Sequence, residues 1–227
     1  SGQWQRLAGK LAQRHRSRQE RQRAAALRQH WAAAPTPPRV LFLCYGNINR
    51  SALAQAHAQA QLPAPSRFQS AGFHAPQGRP ADPVMVDVAR GLGLDLGGWQ
   101  SRTLSAEMVQ GADLILAMES THLERLLRDH PEARARACLL DGTAPAAEIP
   151  DPYGQARPVY DQVARRVCQA VDAWFRPSAA GQGQTVARTP PGASSKRTRW
   201  RACTSASLGE RWGCDGGSTQ PARTTAA

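Results

Sequence analysis

Short apolar runs alternate with helical patterns along the middle of the chain. Four runs have the length and composition of buried strands, and they cover residues 40–43, 68–71, 112–118 and 138–140. Four segments have the apolar spacing of amphipathic helices, and they cover residues 52–61, 83–92, 120–129 and 159–175. Strands that alternate with helices predict an α/β fold, in which a four-stranded parallel sheet carries helices on both faces.

The two ends of the chain differ from this middle part. Residues 3–33 are rich in good helix formers but lack a continuous apolar stripe, and the three prolines within residues 34–38 predict a stiff linker. From residue 176 onward, the composition is typical of disorder. We therefore predict a basic helical extension with its linker at residues 1–38, a folded domain at 39–176 and a disordered basic tail at 177–227.

The net charge of +12 belongs to these two ends. Residues 1–33 carry eight Lys and Arg against one Asp or Glu, and residues 176–227 carry eight against two. The middle of the chain is therefore close to neutral. Contact with a polyanion, such as nucleic acid or acidic lipid, is one interpretation of the basic ends, and a solvated surface is the other.

Two further features concern the compartment. No apolar run is long enough to cross a bilayer, and no signal-peptide pattern is visible, so neither a membrane span nor secretion is expected. The five cysteines are widely spaced and include no C-x-x-C pair. Such cysteines indicate a reducing compartment, and a cytoplasmic protein is the expectation.

Candidate chemistry follows the first predicted strand. Cys44 and Arg50 are separated by five residues, and Ser51 comes next. A loop that leads from a strand into a helix directs several backbone N–H groups at one spot, where the helix terminus also attracts anions. Such a site favours a thiolate at Cys44, Arg50 offers a fork for two phosphate oxygens, and the Ser51 hydroxyl can donate to the sulfur. The predicted phosphate-binding residues are Tyr45, Gly46, Asn47, Ile48, Asn49 and Arg50.

These residues describe phosphoryl transfer through a cysteinyl-phosphate, which requires a proton donor for the leaving oxygen. Asp151 is the best candidate, because its loop follows the fourth predicted strand and reaches the same edge of the sheet as Cys44. An ordinary turn is the alternative interpretation of Asp-Pro-Tyr-Gly.

In the loop after the first predicted strand, Gly46 and Asn47 are residue types that accept the positive φ of a tight loop.

Cys-x5-Arg-Ser with Gly-Asn inside it resembles the signature loop of the low-molecular-weight protein tyrosine phosphatases. Asp-Pro at residues 151–152 resembles the general-acid motif of that family, and the resemblance covers residues 39–175. It implies hydrolysis of phosphotyrosine in protein substrates in two steps, without metal or cofactor. Cys44 would be the nucleophile, Arg50 would bind the phosphoryl oxygens, and Asp151 would be the acid and then the base.

The resemblance also implies supporting roles. Asn47, Ser51 and Ser70 would brace the loop, and Tyr153 would be the aromatic residue at the mouth of the cleft. The chain departs from the family pattern at three places. Asn49 replaces the usual second cysteine, Trp99 replaces a usual histidine, and residues 73–77 offer no evident second aromatic lip unless Phe73 serves.

Two other functions fit parts of the pattern. An arsenate reductase shares this fold and loop, but its chemistry needs relay thiols, and Cys138 and Cys168 are the only other cysteines of the domain. A non-catalytic phosphate-binding module, with basic arms that bind nucleic acid, would explain Asn49 and Trp99.

Overall fold

Four short strands form one parallel sheet in the computed structural model, which describes residues 18–61, 67–142 and 148–175. The predicted tail at 177–227 lies outside the described residues, and so does the first half of the predicted N-terminal extension. The strands are β1 (Val40–Cys44), β2 (Phe68–Gly72), β3 (Leu114–Ala117) and β4 (Ala137–Leu139). The helices are α1, helical over 18–32, then α2 (Arg50–Gln61), α3 (Pro83–Gly91), α4 (Ala106–Gly111), α5 (Ser120–Asp129) and α6 (Arg157–Phe175).

The strand order is β2-β1-β3-β4, and every pair is parallel. All five residues of β1 are buried, as expected for a central strand with helices on both faces. Phe42 and Leu116 belong to the core layer formed with α2, α3 and α6, whereas Leu41 and Ile115 pack against α4 and α5 on the other face. The predicted four-stranded α/β sheet is therefore confirmed.

Helix α1 packs against the domain through one apolar face. Ala24 is fully buried, and Leu27 and Trp31 pack against the same core layer. Arg28 donates a 2.5 Å hydrogen bond to the carbonyl of Ala173 in α6, and its guanidinium lies 6.0 Å from the Trp174 ring. Helix α1 is therefore joined to the core layer by apolar contacts and to α6 by one of its basic side chains.

The predicted element list was incomplete in two places. Helix α4 and a 3-10 helix, Pro131–Arg136, were not predicted. Each has six residues, too few to show a helical period, although Ser105 caps α4 by accepting from the Met108 amide at 3.3 Å. The third strand is also shorter than the predicted segment 112–118, because residue 112 ends α4.

The register aligns the carboxyl ends of three strands at one edge of the sheet. Cys44 pairs with Gly72, and Leu43 pairs with Ala117, so β1, β2 and β3 end side by side. The loops that follow β1 and β4 meet at this edge, where parallel sheets bind ligands. Among the described residues, no helix is both long and apolar enough to cross a membrane.

Candidate active site

A cavity of about 130 Å³ lies at the carboxyl edge of the sheet. Its floor is the loop from β1 into α2, residues 44–50, which we call the cysteine loop. Its wall includes the loop after β4, residues 149–154, which we call the aspartate loop. The sequence-predicted residues that line it are Cys44, Tyr45, Gly46, Asn47, Ile48, Asn49, Arg50, Asp151 and Tyr153. Residues that are distant in sequence are thus brought together as the sheet topology predicts.

Cys44 is almost fully buried, at 2% exposure, and its sulfur has two hydrogen-bond contacts. The Ser51 hydroxyl oxygen lies 2.9 Å from Cys44 Sγ, and the Asn47 amide donates to Sγ at 3.2 Å. Asn47 Nδ2 donates to the same Ser51 oxygen at 2.9 Å. Because Ser51 accepts from Asn47, its own proton is free to point at the sulfur. This arrangement stabilises negative charge on Cys44.

Asn47 fixes the shape of the cysteine loop. Its φ is 52°, the one positive φ among the described non-glycine residues, whereas Gly46 does not adopt a positive φ. Of the two residue types in the loop that accept a positive φ, Asn47 is therefore the one that adopts it. Asn47 Nδ2 also donates to Ser70 Oγ at 2.8 Å, and the Arg102 amide donates to Asn47 Oδ1 at 2.8 Å. The side chain thus ties the loop to β2 and to the segment before α4.

Ser70 extends these hydrogen bonds to Gln55 of α2. Ser70 Oγ donates to Gln55 Oε1 at 2.9 Å, and the Arg102 guanidinium donates to the same oxygen at 2.8 Å. Burial lowers the pKa of Arg102 from its ordinary value. The network therefore runs from a charged donor through buried amides and hydroxyls to the sulfur, and each acceptor has a donor.

Trp99, which replaces a usual histidine of the family pattern, contacts the cysteine loop. Its Nε1 donates to the Asn47 carbonyl at 2.8 Å. The indole thus holds the loop residue that has the unfavourable backbone conformation. A side chain that differs from the family pattern still contacts the loop directly.

Arg50 begins α2, and only 1% of its side chain is exposed. Nη1 donates to the Ile149 carbonyl at 2.8 Å and pairs with Glu119, and Nη2 lies 2.9 Å from Asp151 Oδ2. Two carboxylates and a carbonyl therefore orient one buried guanidinium at the cavity. Sequence reasoning assigned no role to Glu119, because the residue lies just after β3 and its contact depends on the loop conformation.

Asp151 lies at the mouth of the cavity, and its side chain is 41% exposed. The Tyr153 amide donates to Asp151 Oδ1 at 3.3 Å, so the residues also form a turn. Tyr153 is 57% exposed, and the Arg79 guanidinium lies 5.7 Å from its ring. The segment is therefore a turn, and the turn brings the carboxyl group of Asp151 to the cavity.

The second aromatic side chain at the mouth is Tyr45, which sequence reasoning considered only for its backbone. It is 53% exposed and packs against His74, with ring centroids 4.6 Å apart. Phe73 instead lines a neighbouring groove, where its ring stacks on His122. The pattern of polar and apolar residues does not identify Tyr45, because aromatic residues in a loop have no periodicity.

The low molecular weight phosphotyrosine protein phosphatase family model matches residues 39–188 of the chain. Over 137 residues the chain is 36% identical to low molecular weight protein-tyrosine-phosphatase Etp of Escherichia coli strain K12, covering 60% of this chain and 92% of that protein.

Two solved structures of phosphatases are also similar to the chain. Tyrosine phosphatase Wzb from Escherichia coli K30, in complex with sulphate, has a TM-score of 0.57 and 34% identity, over 60% of this chain and 94% of that chain. YwlE arginine phosphatase from Geobacillus stearothermophilus has a TM-score of 0.55 and 30% identity, over 60% of this chain and 89% of that chain.

Proposed function

The chain belongs to the low-molecular-weight phosphotyrosine protein phosphatase family, and we propose that it hydrolyses phosphotyrosine in proteins through a phosphate ester of Cys44. The observation that carries the proposal is the cavity in which Cys44, Arg50 and Asp151 meet. Two of the relatives named above, Etp and Wzb, are tyrosine phosphatases, which favours hydrolysis over arsenate reduction and over a non-catalytic binding module.

In the first step, Cys44 Sγ attacks the phosphorus atom. The sulfur–phosphorus bond forms while the bond to the tyrosine oxygen breaks, and Asp151 gives its proton to that oxygen. The two hydrogen-bond contacts of the sulfur support this role, since both stabilise the attacking anion. In the second step, water attacks the phosphorus atom and Asp151 takes a proton from the water. The sulfur–phosphorus bond breaks, which releases inorganic phosphate and returns Cys44 to the thiolate.

Arg50 and the amides of the cysteine loop would bind the three phosphoryl oxygens. A guanidinium already oriented by Glu119 and Ile149 loses little conformational freedom when it binds. Asn47, Ser51 and Ser70 would keep the loop in the shape that presents those amides. Glu119 would then be a positioning residue, because it touches Arg50 rather than the reacting atoms.

Tyr45 and Tyr153 support an aryl phosphate as the substrate. Both rings are more than half exposed and line the cavity mouth, where they can contact the ring of phosphotyrosine. One similar structure is an arginine phosphatase, so phosphoarginine is the appropriate comparison substrate. Two aromatic walls favour the flat tyrosine ring over a flexible arginine side chain.

Two finer aspects belong to the same proposal. The wide cysteine spacing and a reactive thiol fit a reducing compartment, and we propose a cytoplasmic location.

The basic ends would add contact with a polyanion, such as nucleic acid or acidic lipid. Binding of RNA or acidic vesicles that weakens steeply with salt would support this contact, whereas binding that is insensitive to salt would contradict it.

The central test compares turnover of p-nitrophenyl phosphate, a phosphotyrosine peptide and a phosphoarginine peptide, all with a chelator present. Wild-type protein is expected to hydrolyse the two aryl phosphates, and Cys44→Ser is expected to reduce turnover to background. Cys168→Ser removes another domain cysteine and serves as the matched control with wild-type rates. Preference for phosphoarginine would contradict the substrate, and turnover by Cys44→Ser would contradict the mechanism.

A further inference from the structure

The hydroxyl of Tyr160 connects the aspartate loop to the cysteine loop through Asp82. Tyr160 lies in the first turns of α6 and is 2% exposed. Its hydroxyl donates to Asp82 Oδ2 at 2.8 Å and accepts from the Gly154 amide at 3.3 Å. One oxygen atom therefore holds the end of the aspartate loop and a carboxylate from a different element.

Asp82 is the point where the cysteine loop joins this connection. Its amide donates to the Ile48 carbonyl at 3.1 Å, and Asn49 Nδ2 lies 3.5 Å from Oδ2. Its other oxygen, Oδ1, caps α3 by accepting from the Val84 amide at 3.0 Å. Asp82 is therefore fixed by the backbone of two elements, and it offers Tyr160 an acceptor that cannot easily move.

The protonation state of Tyr160 suits this contact. Burial and the hydrogen bond to Asp82 raise the pKa of Tyr160 to about 12. The hydroxyl thus remains a neutral donor throughout the pH range in which a phosphatase of this kind would be assayed. Gly154 has a φ of 73°, which turns the backbone so that its amide reaches the hydroxyl.

This link becomes important once phosphate occupies the cavity. Asp151 is held by Arg50 on one side and by its own turn on the other. Under the proposed function, Arg50 contacts the phosphoryl oxygens, so its contact with Asp151 is weakened during the reaction. Gly154, Tyr160 and Asp82 do not line the cavity, so their connection does not depend on the contact between Arg50 and Asp151.

We infer that Tyr160 is a positioning residue, whose hydroxyl anchors the aspartate loop so that Asp151 stays at the leaving oxygen while Arg50 binds phosphate. The inference rests on the proposed role of Asp151 as the general acid. It assigns no chemical step to Tyr160, which acts only through the backbone of Gly154 and through Asp82. The ring itself is part of the core, so Tyr160→Phe removes the hydroxyl and keeps the packing.

The test is the dependence of kcat/KM on the leaving group across a series of aryl phosphates, since kcat/KM reports the first chemical step. Poor leaving groups need the proton from Asp151, and good ones need it much less. Tyr160→Phe is expected to lower kcat/KM roughly tenfold for phenyl phosphate and less than about twofold for dinitrophenyl phosphate. Trp174→Phe is the matched control, because it removes another buried hydrogen bond of α6, to the Leu140 carbonyl at 2.7 Å.

Asp151→Asn in the same series separates the two hypotheses. If Asp151→Asn makes kcat/KM depend more steeply on the leaving group, but Tyr160→Phe lowers kcat/KM equally for all substrates or for none, the inference is overturned. The proposed role of Asp151 as the acid then remains. If Asp151→Asn itself gives no steepening, the proposed acid fails and the inference fails with it. Steepening by Trp174→Phe as large as that by Tyr160→Phe also overturns the inference, because general loosening of α6 would then explain it.

Discussion

Arg50 Nη2 lies 2.9 Å from Asp151 Oδ2, and this contact joins the proposed phosphate-binding residue to the proposed acid. The carboxylate thus occupies one arm of the fork that would bind phosphoryl oxygens. Glu119 and the Ile149 carbonyl hold the other arm, so Arg50 stays oriented when that contact changes. Under the proposed function, phosphate and Asp151 would compete for Arg50, and this competition can be measured.

Asp151→Ala is expected to separate catalysis from anion binding. Without the acid, kcat/KM for phosphotyrosine should fall by roughly 10²–10⁴-fold. Inhibition by inorganic phosphate or vanadate should strengthen severalfold, because no carboxylate competes for Arg50. Steady-state kinetics with and without the inhibitor measure both effects. Weaker inhibition of Asp151→Ala than of wild type would show that the pair does not compete with phosphate.

Gly72→Ala tests the close approach between β2 and the cysteine loop. A Cβ at this position would lie 2.7 Å from the Tyr45 carbonyl oxygen and 2.9 Å from the Asn47 amide nitrogen. Because both contacts are to backbone atoms, the loop must shift, and kcat/KM should fall by at least about tenfold with a stability loss of roughly 1–3 kcal/mol. Kinetics and urea unfolding measure the two quantities.

Gly98→Ala is the control for this prediction. A Cβ at Gly98 meets no heavy atom within 4 Å, so activity and stability should remain close to wild type. Wild-type kinetics for Gly72→Ala would show that the loop tolerates displacement, and the proposed need for a fixed cradle would be contradicted.

Trp99→Phe removes the donor to the Asn47 carbonyl and keeps an aromatic ring at the same place. We expect a loss of about 1 kcal/mol in the free energy of unfolding and a severalfold fall in kcat/KM, since the loop loses one of its restraints. Trp99→His, which restores the usual residue of the family, offers a ring N–H and should recover part of the activity. Equal activity of all three proteins would contradict a role of Trp99 in the loop.

The positions of Cys44, Arg50 and Asp151 could be predicted because parallel strands end at one edge of a sheet. Cys44 is the last residue of β1 and Asp151 follows β4, so the strand pattern alone places both at that edge. Asn47 was also predictable, since a tight loop after a strand requires a residue that tolerates a positive φ.

The contacts of Glu119, Asp82 and Tyr160 could not be predicted in this way. They join side chains of elements that are far apart in sequence, and periodicity reports only which face of an element is buried. In the last helix, apolar periodicity favours Val159 as an inward residue, yet Val159 is only half-buried, whereas Tyr160 beside it is buried. A tyrosine beside a valine at the start of a helix gives no signal of the carboxylate that will accept its proton.

Alkylation at about pH 7 should distinguish Cys44 from the other two cysteines of the described residues. Burial raises the pKa of Cys168 to about 11 and raises that of Cys138 further, so both remain thiols and react slowly. Cys44 lines the cavity and should react with iodoacetamide unless phosphate is present. Peptide mass spectrometry measures each site separately, and rapid labelling of Cys168 would revive it as a relay thiol for arsenate reduction.

The stability of the protein should depend on pH through His122, which is 5% exposed and packs near Arg50. Burial and, to a smaller extent, the charge of Arg50 lower the pKa of His122, while Glu119, Asp151 and Glu148 raise it, and the net pKa is about 4. The unfolded chain therefore binds a proton below about pH 6.5 that the folded protein does not, so stability must fall with acidification in this window. Relative to His122→Asn, wild type should lose roughly 2 kcal/mol more between about pH 7 and pH 4.5. Urea unfolding of both proteins across this range gives the difference, and a constant difference would show that His122 is not held neutral in the folded state.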